Sequence, residues 1–430
     1  MTAAPLDAAP VPGRYWLGIA LCVALNALDG FDVLSISFAA PGIAREWAVG
    51  RAALGFVLSY ELIGMAAGSI VMGQLADRIG RRPATIACLV VMALGMGLTM
   101  RVTGLGQLAA TRLFTGLGIG GMLAVTNALV AEYANARWRS ACVAVMAAGY
   151  PMGAIAGGAA ASHLLASAGW RSVFALGFGM TLALLPLVAL LLPEPLAALL
   201  ARPGQSARAQ AACARLFPGH EAALAPAPRP ARGGLAALFA PDLRGATLAL
   251  TAAYFCHILT FYFILKWTPK IVADMGFAPS SAAQVLVWAN VGGLAGGLAF
   301  SALSLGVGLR RLLGLFMLAA FALVAGFGRV QGADGLAGLS WAAAAGGFCT
   351  NGAMVGLYAL TASAFPTPLR ATGTGLVIGV GRAGAALGPI IAGQLFGAGL
   401  GLPAVAGLMA CGALLAAGLL QAPSLRRGAV

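Results

Sequence analysis

Twelve stretches of this sequence are each long and apolar enough to cross a lipid bilayer as a helix, and that repetition restricts the fold more than any other feature. They run over 16–41, 53–76, 84–102, 106–131, 140–165, 171–192, 245–270, 281–306, 311–329, 335–364, 371–397 and 402–421. A hydrocarbon core takes about 20 apolar residues of α-helix per crossing. Hydrophobic residues make up 60% of the chain and charged ones 9%, against about 25% charged in soluble domains. The expected fold is therefore all-α and integral to the membrane.

A formal charge of +14 invites a nucleic-acid reading, but its distribution excludes one. Arg14, Arg78, Arg81, Arg82, Arg137, Arg139, the six arginines from Arg202 to Arg244, Arg310, Arg311, Arg370, Arg426 and Arg427 share one side. They are 17 of the 26 Lys and Arg, while six (Arg45, Arg51, Arg101, Arg171, Lys270, Arg329) lie opposite. That asymmetry is the positive-inside pattern and predicts both termini in the cytoplasm. Residues 1–14 lack a basic leader and the apolar run after them is too long for a signal peptide, so the first helix is expected to be retained. Seven scattered cysteines show no CxxC or metal spacing and read as packing residues. No phosphate loop, metal cluster or Ser/His/Asp set is present, which argues against an enzyme and for no cofactor.

About 50 residues rich in Pro, Ala and Arg separate the sixth and seventh spans. The expected organisation is a tail (1–15), a six-helix bundle (16–192), a cytosolic linker (193–244), a second six-helix bundle (245–421) and a tail (422–430). Within the linker, "PAPRPARGG" reads as flexible and 194–217 as a short amphipathic helix on the membrane surface. The halves look duplicated: "GMAAGSIVMGQLADRIGRR" (64–82) aligns with "GLAGGLAFSALSLGVGLRR" (293–311), pairing Gly64 with Gly293 and Gly68 with Gly297. At another offset Arg139, Gly153 and Gly157 align with Arg370, Gly384 and Gly388. In transporters such duplication goes with a substrate site where the halves meet. Glycines four residues apart permit close helix approach, since no hydrophobic effect operates between helices in lipid.

Charges inside the spans carry the functional reading. Asp29 and Asp32 lie about 13 to 16 residues into the first span, roughly 20 Å deep, and their i, i+3 spacing puts them on one face. An ionised residue at mid-helix costs on the order of 3 kcal/mol to insert, so a pair marks a function: buried acids of like charge can hold and release a proton as a coupled unit. Gly30 between them weakens the helix. Arg382, in span eleven, offers a planar fork for a carboxylate, either an aspartate or an anionic substrate. Lys266 has two readings, snorkelling to the interface or serving the substrate site. His257 reads as packing, Arg112 as proton coupling or helix organisation, and Glu61 as an interfacial residue.

"GQLADRIGRR" (73–82) resembles the loop between the second and third helices of major facilitator transporters. "RLFTGLGIGG" (112–121), "GWRSVF" and "LLPEP" fit the same superfamily. "DGFD" in the first span, "GYPMGAIAGG", "FPTPLRATGTG" (365–375) and "GRAGAALGP" (381–389) together resemble its aromatic acid:proton symporter family. The resemblance implies two six-helix bundles of the major facilitator fold, proton coupling at Asp29 and Asp32, and substrate binding at Arg382. Asn26, Tyr150 and Trp267 are further substrate-site candidates, as is Lys266, where the family pattern has a neutral residue and an extra cation would alter which anion is accepted. It implies an inner gate at Gly73, Asp77, Arg78 and Arg81 with Glu132 and Arg139, and gating or helix organisation at Arg112 and Arg370. In the second half Gly306 replaces the aspartate, so the latch is not fully duplicated. The expected activity is uptake of an aromatic carboxylate with a proton by a monomer in a bacterial inner membrane; efflux by proton antiport and import of a non-aromatic acid are the alternatives.

Overall fold

The computed structural model describes residues 9–200, 205–218, 235–330, 335–366 and 369–422, and among these all regular structure is helical. The first half holds α1 (Gly13–Glu46), α2 (Arg51–Ile79), α3 (Arg81–Thr99), α4 (Leu105–Tyr133), α5 (Arg139–Ser167) and α6 (Arg171–Leu191). Short helices α7 (Leu196–Leu200) and α8 (Ser206–Leu216) follow. The second half holds α9 (Arg244–Asp274), α10 (Pro279–Leu303), α11 (Leu309–Phe327), α12 (Gly335–Ala364), α13 (Arg370–Gly381), α14 (Ala383–Gly397) and α15 (Leu402–Leu419). Eleven segments are long and apolar enough to span a membrane, with Thr372–Gly397 treated as one. The remaining expected span is α12, 30 residues long, whose many glycines and Asn351 dilute its hydropathy.

Two differences from the sequence reading have local causes. Span eleven is interrupted at Arg382, where the Ala385 N–H turns back onto the Arg382 carbonyl at 2.9 Å, the tighter i+3 geometry of a locally overwound helix. The linker forms two helices rather than one, and they pack through Leu196, Leu199, Ala209 and Cys213, leaving Arg208 and Arg215 exposed. "PAPRPARGG", Arg202, Arg229, Arg232, Arg426 and Arg427 lie outside the described residues.

Residues cluster into two compact units. One comprises Met1–Val33, Gly64–Ala154 and Phe174–Arg229; the other comprises Leu34–Ile63, Ile155–Val173 and Pro230–Val430. In the first unit, α2 lies on α4 so closely that a Cβ on Gly64, Gly68 or Gly120 would overlap the carbonyl oxygen of Leu113, Leu117 or Met65. Likewise α1 meets α5, with Gly30 against the Tyr150 carbonyl and Gly153 against that of Ala27. In the second unit α10 meets α12 through Gly292, Gly296 and Gly347, against the carbonyls of Ala344, Phe348 and Ala289. This corrects the repeat alignment by one residue. "GGLAGG" offers two glycine registers, and packing uses Gly292 and Gly296, leaving Gly293 and Gly297 beside Asn351.

Candidate functional site

In the first unit, Asp29 and Asp32 are both buried, at 1% and 0% exposure. No hydrogen bond reaches either carboxyl oxygen of Asp29 among the described residues. Asp32 faces α6 at Gly177, where a Cβ would stand 3.0 Å from Oδ1 and 3.2 Å from Met96 Cε. Arg112, fully buried on α4, shares that Met96 neighbour: its Nη2 lies 3.3 Å from the sulfur and donates to Thr115 at 2.8 Å. The guanidinium also sits 4.9 Å from the Phe174 ring centroid. A glycine on α6 thus lets the acid-bearing helix and the arginine cage occupy one locality. Asn26 is buried and donates to the Met146 carbonyl at 2.6 Å, so it ties α1 to α5. Tyr150 is half-buried on α5, its backbone seated on Gly30.

In the second unit Arg382 stands at the break between α13 and α14. Tyr254, Tyr358 and Tyr262 lie close enough to its guanidinium to act on it electrostatically. Tyr254 and Tyr358 exchange a hydrogen bond of 3.2 Å between hydroxyls. Gly381 makes room, since a Cβ there would collide with the Tyr254 ring. The result is a cation surrounded by neutral phenols, and no carboxylate of the same unit is ion-paired with it among the described residues. Such a group keeps its charge available for an anion. His257, one turn from Tyr254, contacts the Thr350 carbonyl through Nε2 at 2.9 Å, in keeping with its packing role.

Lys266 and Glu61 are where sequence reasoning fell short. Glu61 is not interfacial: it is fully buried, and its Oε2 lies 3.4 Å from Lys266 Nζ, itself fully buried. Lys266 therefore does not snorkel to an interface; it faces a carboxylate 205 residues away. Trp267 beside it is buried, donates its indole N–H to the Pro389 carbonyl at 3.2 Å and packs on Phe396. Arg51 bonds Asp274, 223 residues away, at 2.9 Å, and Asp274 also takes Lys270. Ser162 donates to the Ser280 carbonyl, and Gly55 packs on the Pro389 backbone. Segments from the first half of the chain are thus bonded to α9, α10 and α14 inside this unit.

The expected gate cluster forms a network in the first unit. Arg81 pairs with Asp77 at 2.8 Å and with Glu132 at 3.2 Å. Sequence reasoning missed Glu194: its two carboxylate oxygens accept the backbone N–H groups of Arg81 and Arg82 at 2.8 and 3.0 Å, which caps α3 at its positive end. Gly80, with φ 112°, makes the bend before α3 and occupies a conformation that suits glycine. Arg139 donates to the carbonyls of Ala131 and Ala134, closing the C-terminal end of α4. Arg78 and Arg370 are exposed. Gly73, expected in the gate as a small residue at a helix contact, makes no close approach: a Cβ there would meet nothing within 4 Å.

The profile of the Major Facilitator Superfamily matches residues 20–343. A gallate transporter of Pseudomonas putida is 32% identical over 412 residues, covering 94% of this chain and 90% of the relative. A 4-hydroxybenzoate transporter of Pseudomonas aeruginosa is 32% identical over 405 residues, with 92% and 89% covered. A 3-(3-hydroxy-phenyl)propionate transporter of Escherichia coli is 33% identical over 394 residues, with 91% and 90% covered. Among solved structures, the E. coli xylose transporter in an inward-open conformation superimposes with a TM-score of 0.74 at 16% identity, covering 95% of this chain and 96% of that one. That likeness concerns the fold alone. The described helices, the matched profile and these near full-length relatives agree: the chain belongs to the Major Facilitator Superfamily, and it is a multi-pass membrane transporter, not an enzyme.

Proposed function

We propose that this transporter imports an aromatic carboxylate together with a proton, by alternating access, across a bacterial inner membrane with both termini in the cytoplasm. The observation that carries the reading is Arg382, a cation placed at a helix break and set among phenols rather than carboxylates. A substrate carboxylate can take both edges of the guanidinium, and Tyr254, Tyr262 and Tyr358 supply aromatic faces and hydroxyls for a substituted ring. The relatives' substrates, gallate and 4-hydroxybenzoate, support that assignment.

Proton binding is assigned to Asp29 and Asp32, with Arg112 as the neighbouring charge whose attraction for Asp32 is relieved when the pair takes a proton. Asp29, lacking a donor, is the place in this locality where a proton or a substrate hydroxyl gains a bond. Each proton moving down the membrane potential contributes about 2.3 kcal/mol per 100 mV. Gating is assigned to Arg81 with Asp77 and Glu132 on the cytoplasmic side, and to Lys266 with Glu61 on the outer side. Lys266 and Trp267 move from the substrate set to this outer latch, because their polar groups are engaged in burying it.

The test is uptake of hydroxylated benzoates into proteoliposomes with and without an inward proton gradient. Native protein is expected to accumulate substrate only with the gradient, and Asp32→Asn to equilibrate it without accumulation. Equal accumulation by Asp32→Asn, or accumulation of no aromatic acid, rejects the proposal and favours efflux or a non-aromatic substrate.

A further inference from the structure

A cavity of about 800 Å³ lies among the start of α1, the α2–α3 corner, the end of α6 and linker helix α8. Four arginines, Arg14, Arg82, Arg208 and Arg215, line it against one acidic residue, Glu194. Glu194 caps α3 through the backbone N–H groups of Arg81 and Arg82, and its single negative charge leaves a lining of four arginines net positive. Arg208 and Arg215 are seven residues apart and share one face of α8. The opposing apolar face of α8 packs through Ala209 and Cys213 on Leu196 and Leu199. Packing of the linker therefore turns its two arginines toward two more, an arrangement whose repulsion an anion would relieve.

The walls between the arginines are apolar, including Ile79, Ile86 and Leu216. Arg82 donates to the Ala189 carbonyl, and the next residues, Leu190 and Leu191, are exposed at 80% and 44%, as is Ile79 at 40%. Exposed large aliphatics at the end of a membrane-spanning helix face hydrocarbon. Cations inside and aliphatic surface at the edge match a molecule with a phosphate head and acyl chains better than a free anion.

We propose that this cavity binds the headgroup of an anionic phospholipid, its phosphate oxygens held by Arg14, Arg82, Arg208 and Arg215. Guanidinium forks suit phosphate oxygens, and basic pockets near the cytoplasmic surface take acidic lipid heads. The bound lipid fastens the linker to the first unit. A zwitterionic lipid carries its own cation into the cluster and is disfavoured.

Native mass spectrometry of the full-length protein in detergent tests this, with dioleoyl phosphatidylglycerol compared against dioleoyl phosphatidylcholine. Wild type is expected to retain the anionic lipid preferentially, and Arg208→Gln/Arg215→Gln to weaken that preference by about 25-fold, each arginine being worth roughly fivefold. Both side chains are exposed on a linker helix, so the fold survives; Arg14→Gln gives an independent second variant, expected to weaken the preference by about fivefold. Equal retention of the two lipids overturns the proposal. So does an unchanged preference in the variants, or displacement of phosphatidylglycerol by millimolar inorganic phosphate, which would assign a free-anion site.

Discussion

Glu61→Gln is the most informative single substitution, because it removes one charge of a fully buried pair and leaves the shape unchanged. Both side chains have no exposure, and Nζ and Oε2 are 3.4 Å apart. Solvent screening is therefore minimal, and breaking such a pair costs about 3 to 5 kcal/mol, chiefly because the remaining charge loses its buried partner. Replacing both residues by apolar ones of similar volume is often neutral or stabilising. We therefore expect Glu61→Gln and Lys266→Met each to lower stability by about 3 kcal/mol, and Glu61→Leu/Lys266→Met to return to within about 1 kcal/mol of wild type. Equilibrium unfolding in mixed micelles reads the cycle, and transport reads its consequence. The double variant keeps its fold but loses the ionic outer latch, so its uptake rate changes although its stability does not. Additive losses in the double variant, or single losses under about 0.5 kcal/mol, would refute the reasoning.

Other outcomes follow from the same geometry. Arg382→Lys is expected to raise the KM for an aromatic carboxylate by at least about tenfold, since an ammonium cannot reproduce the planar fork; an unchanged KM in counterflow would remove Arg382 from the substrate site. Gly153→Ala should destabilise by about 1 to 3 kcal/mol through collision with the Ala27 carbonyl, whereas Gly73→Ala, in open space, should stay within about 0.5 kcal/mol. Thermal unfolding in detergent compares the two, and equal effects would contradict the packing. Glu194→Ala should cost about 1 kcal/mol by uncapping α3, measurable as a lowered midpoint with the substrate KM unchanged.

Local properties were legible without a structure. Hydropathy along the chain set the spans, because crossing a bilayer is a demand that each segment meets by itself. The loop 73–82 stood out by its charges and the resemblance named Glu132, whereas the pairing of Asp77 with Arg81 depends on the bend at Gly80 between their helices. Asp29 and Asp32 stood out because two acids within one apolar run are costly wherever the helix packs.

Partnerships between distant segments were not legible. Glu61 sits near the start of its span and reads as interfacial, until tertiary packing buries it against Lys266. Arg382 was visible as a cation within a span, but the phenols around it, Tyr254 and Tyr358, are 104 residues apart from each other and belong to different helices. The glycine register of α10 shows the limit most plainly: "GGLAGG" satisfies two repeats equally, and only the path of α12 chose Gly292 and Gly296. Span positions and helix faces follow from each segment's own interaction with lipid and water; which charge meets which, and which glycine bears the contact, follows from packing that a linear sequence does not display.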